Sequence, residues 1–546
     1  MKAKLIFASL FLSMAGLSAQ TYQVPVSEQD EPMMKGKFEP TWSSLENYQV
    51  PEWFRNVKFG IWVHWGPQCV EGSGDWMARS MYMEGTREYE YHVKHYGHPS
   101  EVGFKDIIPL WKAENWDPDK LVAFYKKIGA QYFFALGNHH DNMDLWDSKY
   151  QPWNSVNMGP KKDILAGWEK AARKYGLYFG VSLHADHAWS WYEPSQRHDT
   201  KGPKKGIPYD GKLTKADGKG KWWEGYDPQD LYAQNHPLSE NSWDNGMIHR
   251  QWAWGNGVCV PIQEYCTNFY NRTLDVINRY NPDLLYFDVT VAPFYPVSDA
   301  GLKIAAHFYN HNMATHKGKL EAVMFGKILD ENQRKALVWD VERGAPNKII
   351  DQPWQSCSCI GGWHYNTSIY EKNEYKSAAY VAKLLVDIVS KNGNLLLSVP
   401  LRADGTFDEK EEKILNEFGA WMNINKEAIY DTRPWAVFGE GPIAEEDIPF
   451  NAQGFNEGSY SQAGAKEIRF TQTPKYLYAT VLAWPVDGKV NIKSLAADSK
   501  LYEGKIHKVE LLGYGKVDFV RTAEGLSVTL PVQPLNQIAP VLRIAK

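Results

Sequence analysis

Ionisable side chains end or follow five short apolar runs of the sequence. They are His64, His139 with His140, His184, Asp288 and Glu342. Two carboxyl groups with several imidazoles are the side chains that general acid–base and nucleophilic catalysis require. Apolar runs of this length are typical of buried strands, and the carboxyl ends of parallel strands meet at one edge of a sheet or barrel. The spacing therefore predicts one pocket that brings these groups together.

Asp288 and Glu342 are the carboxyl groups with the most informative positions. Asp288 follows the apolar run Leu284–Phe287, so we expect it at the mouth of the pocket, held rigidly as a nucleophilic carboxylate would be. The alternative is an Asp that caps a loop. Glu342 would supply a proton to a leaving oxygen if its surroundings raised its pKa. An ion pair with the adjacent Arg343 is an equally good interpretation, and other acids stay open: Glu264, Glu321 and Glu331.

Aromatic residues accompany these strand ends. The chain has 23 Trp, 31 Tyr and 22 Phe, which together are 14% of its residues. Six of the tryptophans lie near the ionisable positions: Trp62, Trp65, Trp76, Trp146, Trp339 and Trp363. Carboxylates, imidazoles and aromatic walls together suit a sugar ligand. The net charge of −5 argues against nucleic acid as the main partner.

The elements that must position these residues alternate along most of the chain. From about residue 40 to 435, short apolar runs alternate with amphipathic helical patterns, which predicts a (β/α)8-type barrel as the catalytic domain, residues 21–439. Residues from about 186 to 256 form an insertion with seven tryptophans between Trp189 and Trp254. We expect this insertion to recognise the rest of a glycan, through Trp222 and Trp223 in particular.

The two ends of the chain have different patterns. Residues 1–20 resemble a secretory signal peptide, with Lys2 and Lys4 before an apolar run, which predicts a secreted or periplasmic protein. No later apolar run reaches about 18 residues, so no membrane span is expected. Residues 440–546 show short alternating stretches typical of an antiparallel β-sandwich, which we expect to pack on the barrel rather than to bind carbohydrate. Five cysteines are too few for disulfide bonds to be the main stabilisation of the fold.

Several ordered segments carry a resemblance to a known family. Phe59–Gly66 resembles the F-G-I-F-x-H-W-G segment of glycoside hydrolase family 29, the α-L-fucosidases. Tyr286–Asp288 is similar to its W-F-D, and Lys391–Leu397 to its K-G-G-N-L-L-L. Further similar segments are His139–Asp141, Leu145–Lys149, Trp153–Ser155, Gly159–Asp163, Pro353–Gln355 and Gly362–Asn366. The resemblance runs in order across about residues 50–435.

This resemblance implies a retaining exo-glycosidase that needs no metal and no cofactor and acts on a glycan. Asp288 would be the nucleophile, and a second carboxyl group would give and then take a proton. The substrate-binding residues would be His64, Asp75, Trp76, His139, His140, His184 and Trp363. Glu342 is assigned as the acid/base from its strand end and not from a motif.

Departures from the family pattern motivate a narrower hypothesis. Asp75 stands where the family has Glu in E-W-Y, and Asn138 replaces the Lys of K-H-H. The sugar is therefore expected to be L-fucose or a close relative such as L-galactose, with or without sulfate. Two alternatives remain: a metal-dependent barrel hydrolase, and a non-catalytic carbohydrate-binding protein of the same fold.

Overall fold

The computed structural model describes residues 20–446, 454–532, 535–536 and 538–546. The signal peptide predicted over residues 1–20 lies outside the described residues except for its last residue. Within those ranges, no helix combines the length and the apolar character that crossing a bilayer would need.

Eight parallel strands form a closed barrel in which each strand pairs with the next and the last pairs with the first. They are β1 Phe59–Val63, β2 Tyr132–Asn138, β3 Tyr178–Leu183, β4 Leu284–Phe287, β5 Val323–Gly326, β6 Val338–Glu342, β7 Trp354–Cys359 and β8 Gly393–Ser398. The predicted (β/α)8-type barrel is confirmed.

Helices connect and surround these strands. In chain order they are α1 Trp42–Leu45, α2 Glu52–Val57, α3 Met77–Ser80, α4 Arg87–His95, α5 Phe104–Ile107, α6 Pro118–Lys127, α7 Ile164–Lys174, α8 Ala188–Trp191, α9 Pro228–Tyr232, α10 Asn245–Gln251, α11 Gln263–Tyr280, α12 Ala300–Thr315, α13 Gln333–Ala336, α14 Thr367–Lys372, α15 Ala378–Ser390, α16 Glu409–Asn425 and α17 Pro442–Glu445. The start of α6 shows why the sequence folds this way: the Asp117 side chain accepts a hydrogen bond from Lys120 N, and Pro118 occupies the first turn.

Large aromatic side chains fill the barrel interior because small residues face them. A Cβ atom at Gly60 in β1 would lie only 2.4 Å from the Tyr132 ring. Tyr132 itself is fully buried, and its hydroxyl donates to Gln355 Oε1 on β7, 3.1 Å away. A packed interior of this kind places the open space at the ends of the strands, not along the axis.

The sixth strand differs from the sequence prediction. The apolar run Ala336–Trp339 leads into Asp340 and predicts a strand that ends before the acidic residues. In the structure Ala336 instead ends helix α13, and the strand is Val338–Glu342. Asp340 can lie inside the barrel because Gln355, Tyr286 and Cys357 all donate to its carboxylate. Glu342 is consequently the last residue of a strand and not part of a loop.

The predicted C-terminal β-sandwich is confirmed as two antiparallel sheets. The larger sheet has the order β14-β13-β17-β11-β10-β9 and the smaller one β12-β16-β15. The strands are β9 Arg433–Glu440, β10 Ile468–Gln472, β11 Tyr476–Val481, β12 Lys489–Ile492, β13 Val509–Leu511, β14 Gly515–Lys516, β15 Asp518–Thr522, β16 Gly525–Thr529 and β17 Val541–Ala545.

The larger sheet is anchored to the barrel by a buried ion cluster. Asp387 of α15 accepts from Arg469 Nε of β10 at 2.5 Å and from Lys391 Nζ at 2.6 Å. Tyr460 OH donates to the same carboxylate. All four groups are buried, so barrel and sheets share polar contacts that water does not screen.

Candidate active site

A cavity of about 420 Å³ opens at the carboxyl ends of the barrel strands. Eight of the residues predicted for the site line it: His64, Asp75, Trp76, His139, His184, Asp288, Glu342 and Trp363. The ninth, His140, lies behind the wall and contacts Asp288 through Nε2 at 3.2 Å. The expectation of one shared pocket therefore agrees with the geometry.

A lysine joins the two predicted carboxyl groups. Lys327 Nζ donates to Asp288 Oδ1 at 2.5 Å and to Glu342 Oε2 at 2.6 Å. The two carboxylate oxygens lie no farther apart than the sum of these distances, because both contact the same nitrogen. This upper limit is compatible with retaining glycosidases, whose carboxyl groups lie about 5–5.5 Å apart, and is shorter than the about 6.5–9.5 Å of inverting ones.

The surroundings push the pKa values of the two carboxyl groups in opposite directions. Burial alone would raise the pKa of Asp288, but the Lys327 ammonium and the hydrogen bond from His140 hold it well below its ordinary value. Burial raises the pKa of Glu342, and the negative charge of Asp288 adds to this against the opposing effect of Lys327. One group is thus kept ionised and the other is moved towards the protonated form.

Imidazoles form the floor of the cavity. His64 Nδ1 lies 2.9 Å from Ser398 Oγ, and His139 Nδ1 accepts from the Gln68 amide at 2.7 Å. Burial and neighbouring histidines lower the pKa of His64, His139 and His184 well below the ordinary value. These rings are therefore neutral at neutral pH and act as hydrogen-bond donors and acceptors without charge.

His184 has unused hydrogen-bonding capacity. Neither of its ring nitrogens has a partner among the described residues, although the side chain is buried. An unpartnered buried polar group is costly, so a ligand in the cavity would stabilise this arrangement.

Asp75 contacts two histidines at the cavity. Its Oδ1 accepts from His364 Nδ1 at 2.7 Å and lies 3.9 Å from His139 Nε2.

Stacked aromatic rings form one wall. Trp76 has a left-handed backbone, with φ of 63°, and stacks on His249 and Trp252 with ring centroids 4.8 and 6.1 Å away. Trp252 also donates from its indole nitrogen to the carbonyl oxygen of Asp288 at 2.6 Å. A strained backbone beside a ligand cavity persists where neighbouring residues hold it in place. For Trp76 those neighbours are His249 of helix α10 and Trp252, which directly follows the helix.

Two family models match the chain. One, described as alpha-L-fucosidase, matches residues 26–427, and the other, described as the alpha-L-fucosidase C-terminal domain, matches residues 462–545. This chain belongs to the α-L-fucosidase family. It is accordingly a glycoside hydrolase, and the resemblance found in the motifs is confirmed.

Relatives of this fucosidase-family chain match nearly its whole length. Human plasma alpha-L-fucosidase is 24% identical over 524 residues, covering 92% of this chain and 90% of the human protein. Bovine tissue alpha-L-fucosidase is 25% identical over 509 residues, covering 91% and 88%.

Solved structures of fucosidases share the fold of the chain. Thermotoga maritima alpha-fucosidase in complex with fucose superposes with a TM-score of 0.64 at 24% identity, covering 93% of this chain and all of the other. A family 29 alpha-L-fucosidase from Bacteroides thetaiotaomicron gives 0.56 at 17% identity, covering 95% and 99%.

Some site residues of this fucosidase-family chain escaped the sequence analysis. Lys327 directly follows β5 and obeys the same strand-end rule that selected Asp288, so the sequence did contain its signal. His249 and Trp252 belong to the insertion, and Phe455 follows the barrel, yet all three line the cavity. No periodicity or motif connects these three positions to the barrel mouth.

The predicted contacts of Trp222 and Trp223 with the rest of a glycan stay a prediction, since neither residue lies at the cavity. Trp223 is buried, and the indole of the half-exposed Trp222 donates to Asp106 Oδ1 at 2.8 Å. Neither is among the residues found to line the cavity. The insertion does reach the cavity, but through α10. The alternative acids Glu264, Glu321 and Glu331 are likewise not among those lining residues.

Two groups of side chains have the spacing of metal ligands: His139, His140 and His184, and Asp75, His139 and His364. In the first group, His140 Nδ1 contacts the carbonyl oxygen of His184 at 2.7 Å while Nε2 contacts Asp288. Both nitrogens of His140 thus have partners within the protein. That ring therefore offers no unpartnered nitrogen to a metal.

Proposed function

We propose that the protein is a retaining exo-glycosidase that removes terminal α-L-fucosyl or closely related α-L-galactosyl residues from glycans. The observation that carries this proposal is the pair Asp288 and Glu342, joined by Lys327 at one cavity, with pKa values moved apart. Retaining hydrolysis needs one ionised and one protonated carboxyl group at this spacing.

In the first step, Asp288 attacks the anomeric carbon of the sugar, and the bond to the leaving oxygen breaks as Glu342 donates its proton to that oxygen. In the second step, Glu342 takes a proton from a water molecule, which attacks the same carbon and releases Asp288. Lys327 keeps Asp288 ionised before the attack, because it lowers the pKa of that carboxyl group.

The binding part of the proposal rests on the neutral imidazoles and the aromatic wall. His64, His139 and His184 offer hydrogen bonds to sugar hydroxyls, and Trp76 offers a flat apolar face. Asp75 stands where the resembling family has a glutamate, whose side chain is one methylene longer. This difference supports a sugar that departs from L-fucose at one of its substituents. Export by the segment 1–20 would bring the enzyme to extracellular glycans, including those whose terminal sugar carries sulfate.

The first experiment compares hydrolysis of nitrophenyl α-L-fucoside and nitrophenyl α-L-galactoside. A site that hydrogen-bonds the extra hydroxyl of L-galactose rejects fucose strongly, whereas a roomy site accepts both. Fucoside turnover far above galactoside turnover would remove L-galactose from the proposal and leave the fucosidase activity standing. A panel of natural glycans with and without sulfate extends the comparison.

The second experiment tests the nucleophile. Asp288→Gly should lower kcat by at least about 10³-fold, and added azide should restore turnover by attacking the anomeric carbon in place of the carboxylate, releasing nitrophenolate and leaving a glycosyl azide. Unchanged melting of the variant controls for folding. A variant that kept wild-type activity would show that Asp288 is not the nucleophile.

The same samples separate the two alternatives. Loss of wild-type activity after chelation, with a metal found by elemental analysis, would favour the metal-dependent hydrolase. Sugar binding without hydrolysis of any substrate in the panel would favour a binding protein.

A further inference from the structure

A short stretch after the barrel returns to the strand end that carries Glu342. We call residues 454–458 the return segment. Gly454 forms a parallel bridge with Glu342, Phe455 N donates to Glu342 O at 2.8 Å, and Glu457 N donates to Arg343 O at 3.0 Å. The return segment therefore pairs alongside the end of strand β6 at the mouth of the active-site cavity.

Close packing and ion pairs fix the return segment in place. A Cβ atom at Gly454, where φ is 103°, would lie 2.2 Å from the Glu342 carbonyl oxygen. The Glu457 carboxylate accepts from Arg343 Nε at 2.9 Å and from Ser358 Oγ at 2.6 Å, and it lies 2.9 Å from Lys376 Nζ. A backbone held from both sides gives its side chains defined positions.

Phe455 is the one large apolar side chain that this segment presents to solvent. It has a φ of 61° and is 55% exposed. A non-glycine residue with positive φ is uncommon, and a bulky apolar one held there and left open to water gains little from packing. Its ring lines the active-site cavity, so the arrangement serves a ligand better than it serves the core.

The ring also lines a second cavity. This cavity has a volume of about 500 Å³ and lies between the return segment and the residues around Lys376. Among the described residues, the charged side chains that line it are Arg343, Glu374, Lys376 and Glu457, two of each sign. This balanced polar lining suits an uncharged ligand rich in hydroxyl groups better than a sulfated or phosphorylated one.

The position of Phe455 beside Glu342 indicates where the leaving group of the substrate would lie. If Glu342 protonates the leaving oxygen, the leaving group lies beside Glu342, and Phe455 is the aromatic ring bonded through its backbone to that residue. The face of a pyranose ring presents C–H bonds, which pack favourably on the negative face of an aromatic ring. A sugar leaving group would lie over Phe455 and continue into the second cavity.

The return segment is not part of either family match. The matched regions end at residue 427 and resume at residue 462, and the segment lies between them. Recognition by this segment would therefore be a property of this chain beyond what the matched domains share.

We propose that Phe455 and the second cavity form the binding site for the leaving group, and that this leaving group is a neutral chain of at least two sugar rings. The inference rests on the proposed function, since it uses the role of Glu342. Phe455 is then a specificity-determining residue that selects oligosaccharides over short glycosides.

The test compares three substrates. They are α-L-fucosyl fluoride, which has no sugar in its leaving group, a disaccharide in which α-L-fucose is joined to one neutral sugar, and a trisaccharide in which it is joined to two. L-galactosyl versions replace these substrates if L-galactose is the preferred sugar. Phe455→Ala should lower kcat/KM for the trisaccharide about 10- to 50-fold, mainly through KM, and leave hydrolysis of the fluoride within about twofold. Phe455→Trp should retain trisaccharide activity.

Matched variants sharpen the test. Tyr514→Ala removes an aromatic ring of similar exposure, 57%, from the C-terminal sheets, and should change nothing. Glu374 lines the second cavity but is not among the residues that line the active-site cavity, so Glu374→Ala should lower kcat/KM for the trisaccharide several-fold and for the disaccharide hardly at all.

Each outcome has one meaning. Equal losses on fluoride and trisaccharide in Phe455→Ala would mean that Phe455 only positions Glu342, and would overturn the inference. No loss on either substrate, or better hydrolysis of a sulfated chain than of the neutral one, would overturn it as well. Wild-type protein that leaves every glycosyl fluoride intact would instead refute the proposed function and the inference with it.

Discussion

Lys327 acts on both carboxyl groups of the site, because its ammonium contacts each of them. It lowers the pKa of Asp288 and of Glu342 alike. Loss of this ammonium would therefore raise both pKa values rather than move them closer together. The lysine itself is buried at the junction between the two carboxyl groups.

Replacing Lys327 should move the whole pH profile. In Lys327→Met, the acid limb of kcat/KM, which requires Asp288 ionised, and the alkaline limb, which requires Glu342 protonated, should both shift upward in pH. We expect the maximum to fall by about 10- to 10³-fold. A pH series on nitrophenyl substrate measures this. Lys327→Arg keeps the charge and should leave the limbs near their wild-type positions; limbs unmoved in the Met variant would contradict the role given to Lys327.

Glu342 should define the alkaline limb in the wild-type enzyme. Its raised pKa means that the proton donor is lost only as the pH climbs above the ordinary range of a glutamate, whereas activity at low pH falls where Asp288 becomes protonated, well below its ordinary value. Glu342→Gln should abolish the alkaline limb and lower kcat about 10²- to 10⁴-fold on a natural glycoside.

Substrate choice provides the control for that variant. A glycosyl fluoride needs no proton on its leaving group, so Glu342→Gln should lose far less in the first step on the fluoride than on the glycoside. An alkaline limb that persists in the variant would return Glu264, Glu321 or Glu331 to consideration.

At the residue scale the sequence predicted most of the site. Asp288, Glu342 and the histidines all stand at strand ends, and a strand end is visible as the close of an apolar run. Lys327 follows the same rule, because it comes directly after the run Val323–Gly326. The pKa directions were not predictable, since they depend on which groups the fold brings within contact.

At the scale of elements, α10 completes the aromatic wall of the barrel. Its residue His249 and the following Trp252 stack on Trp76, and Trp252 also holds the backbone of Asp288. The sequence indicated an insertion rich in tryptophan but not which of its tryptophans reaches the cavity. That depends on how the insertion folds over the barrel, and no sequence pattern carries that information.

Trp252→Ala should therefore damage both the wall and the nucleophile. We expect a loss of kcat/KM of about 10- to 100-fold and a drop in the free energy of unfolding of about 3 kcal/mol, since a buried indole is removed. Steady-state kinetics and denaturant unfolding measure the two effects. Trp243→Ala removes an exposed indole of the same insertion and should change neither; a Trp252 variant that behaved like it would show that α10 is not needed by the site.

The sixth strand shows why element boundaries escaped prediction. Polar residues ordinarily mark the end of a buried strand, so the sequence alone predicts a strand that ends before Asp340. It lies inside the barrel because Tyr286, Gln355 and Cys357 supply donors from other strands. Those partners are distant in sequence, so local reasoning placed the acidic residues beyond the strand.

At the scale of the whole molecule, Asp387 joins the barrel to the C-terminal sheets. Burial would raise its pKa, but Lys391 and Arg469 lower it to about 2. A carboxyl group whose pKa is lower when folded stabilises the protein above its ordinary value of 3.8 and loses that contribution as the pH falls towards 2. Acid should thus weaken the attachment between the two parts in that window.

Asp387→Ala should lower the free energy of unfolding by about 3–5 kcal/mol, because it takes a carboxylate away from the buried Lys391 and from Arg469, which keeps only Glu467. Calorimetry and denaturant titration measure this, and the sensitivity of unfolding between pH 4 and 2 should shrink in the variant. The triple variant Asp387→Leu, Lys391→Met and Arg469→Met, which removes the three charges joined at Asp387, should recover part of the loss. A stability near wild type in Asp387→Ala would mean that water reaches the cluster.

The return segment has a consequence for how the enzyme is made. Glu342 and Asp288 leave the ribosome long before residues 454–458, which clamp the strand end beside Glu342 and present Phe455. A growing chain therefore cannot assemble the complete mouth of its cavity until most of the polypeptide exists. If the chain is exported unfolded, full discrimination among glycans arises only after export, when residues 440–546 pack on the barrel.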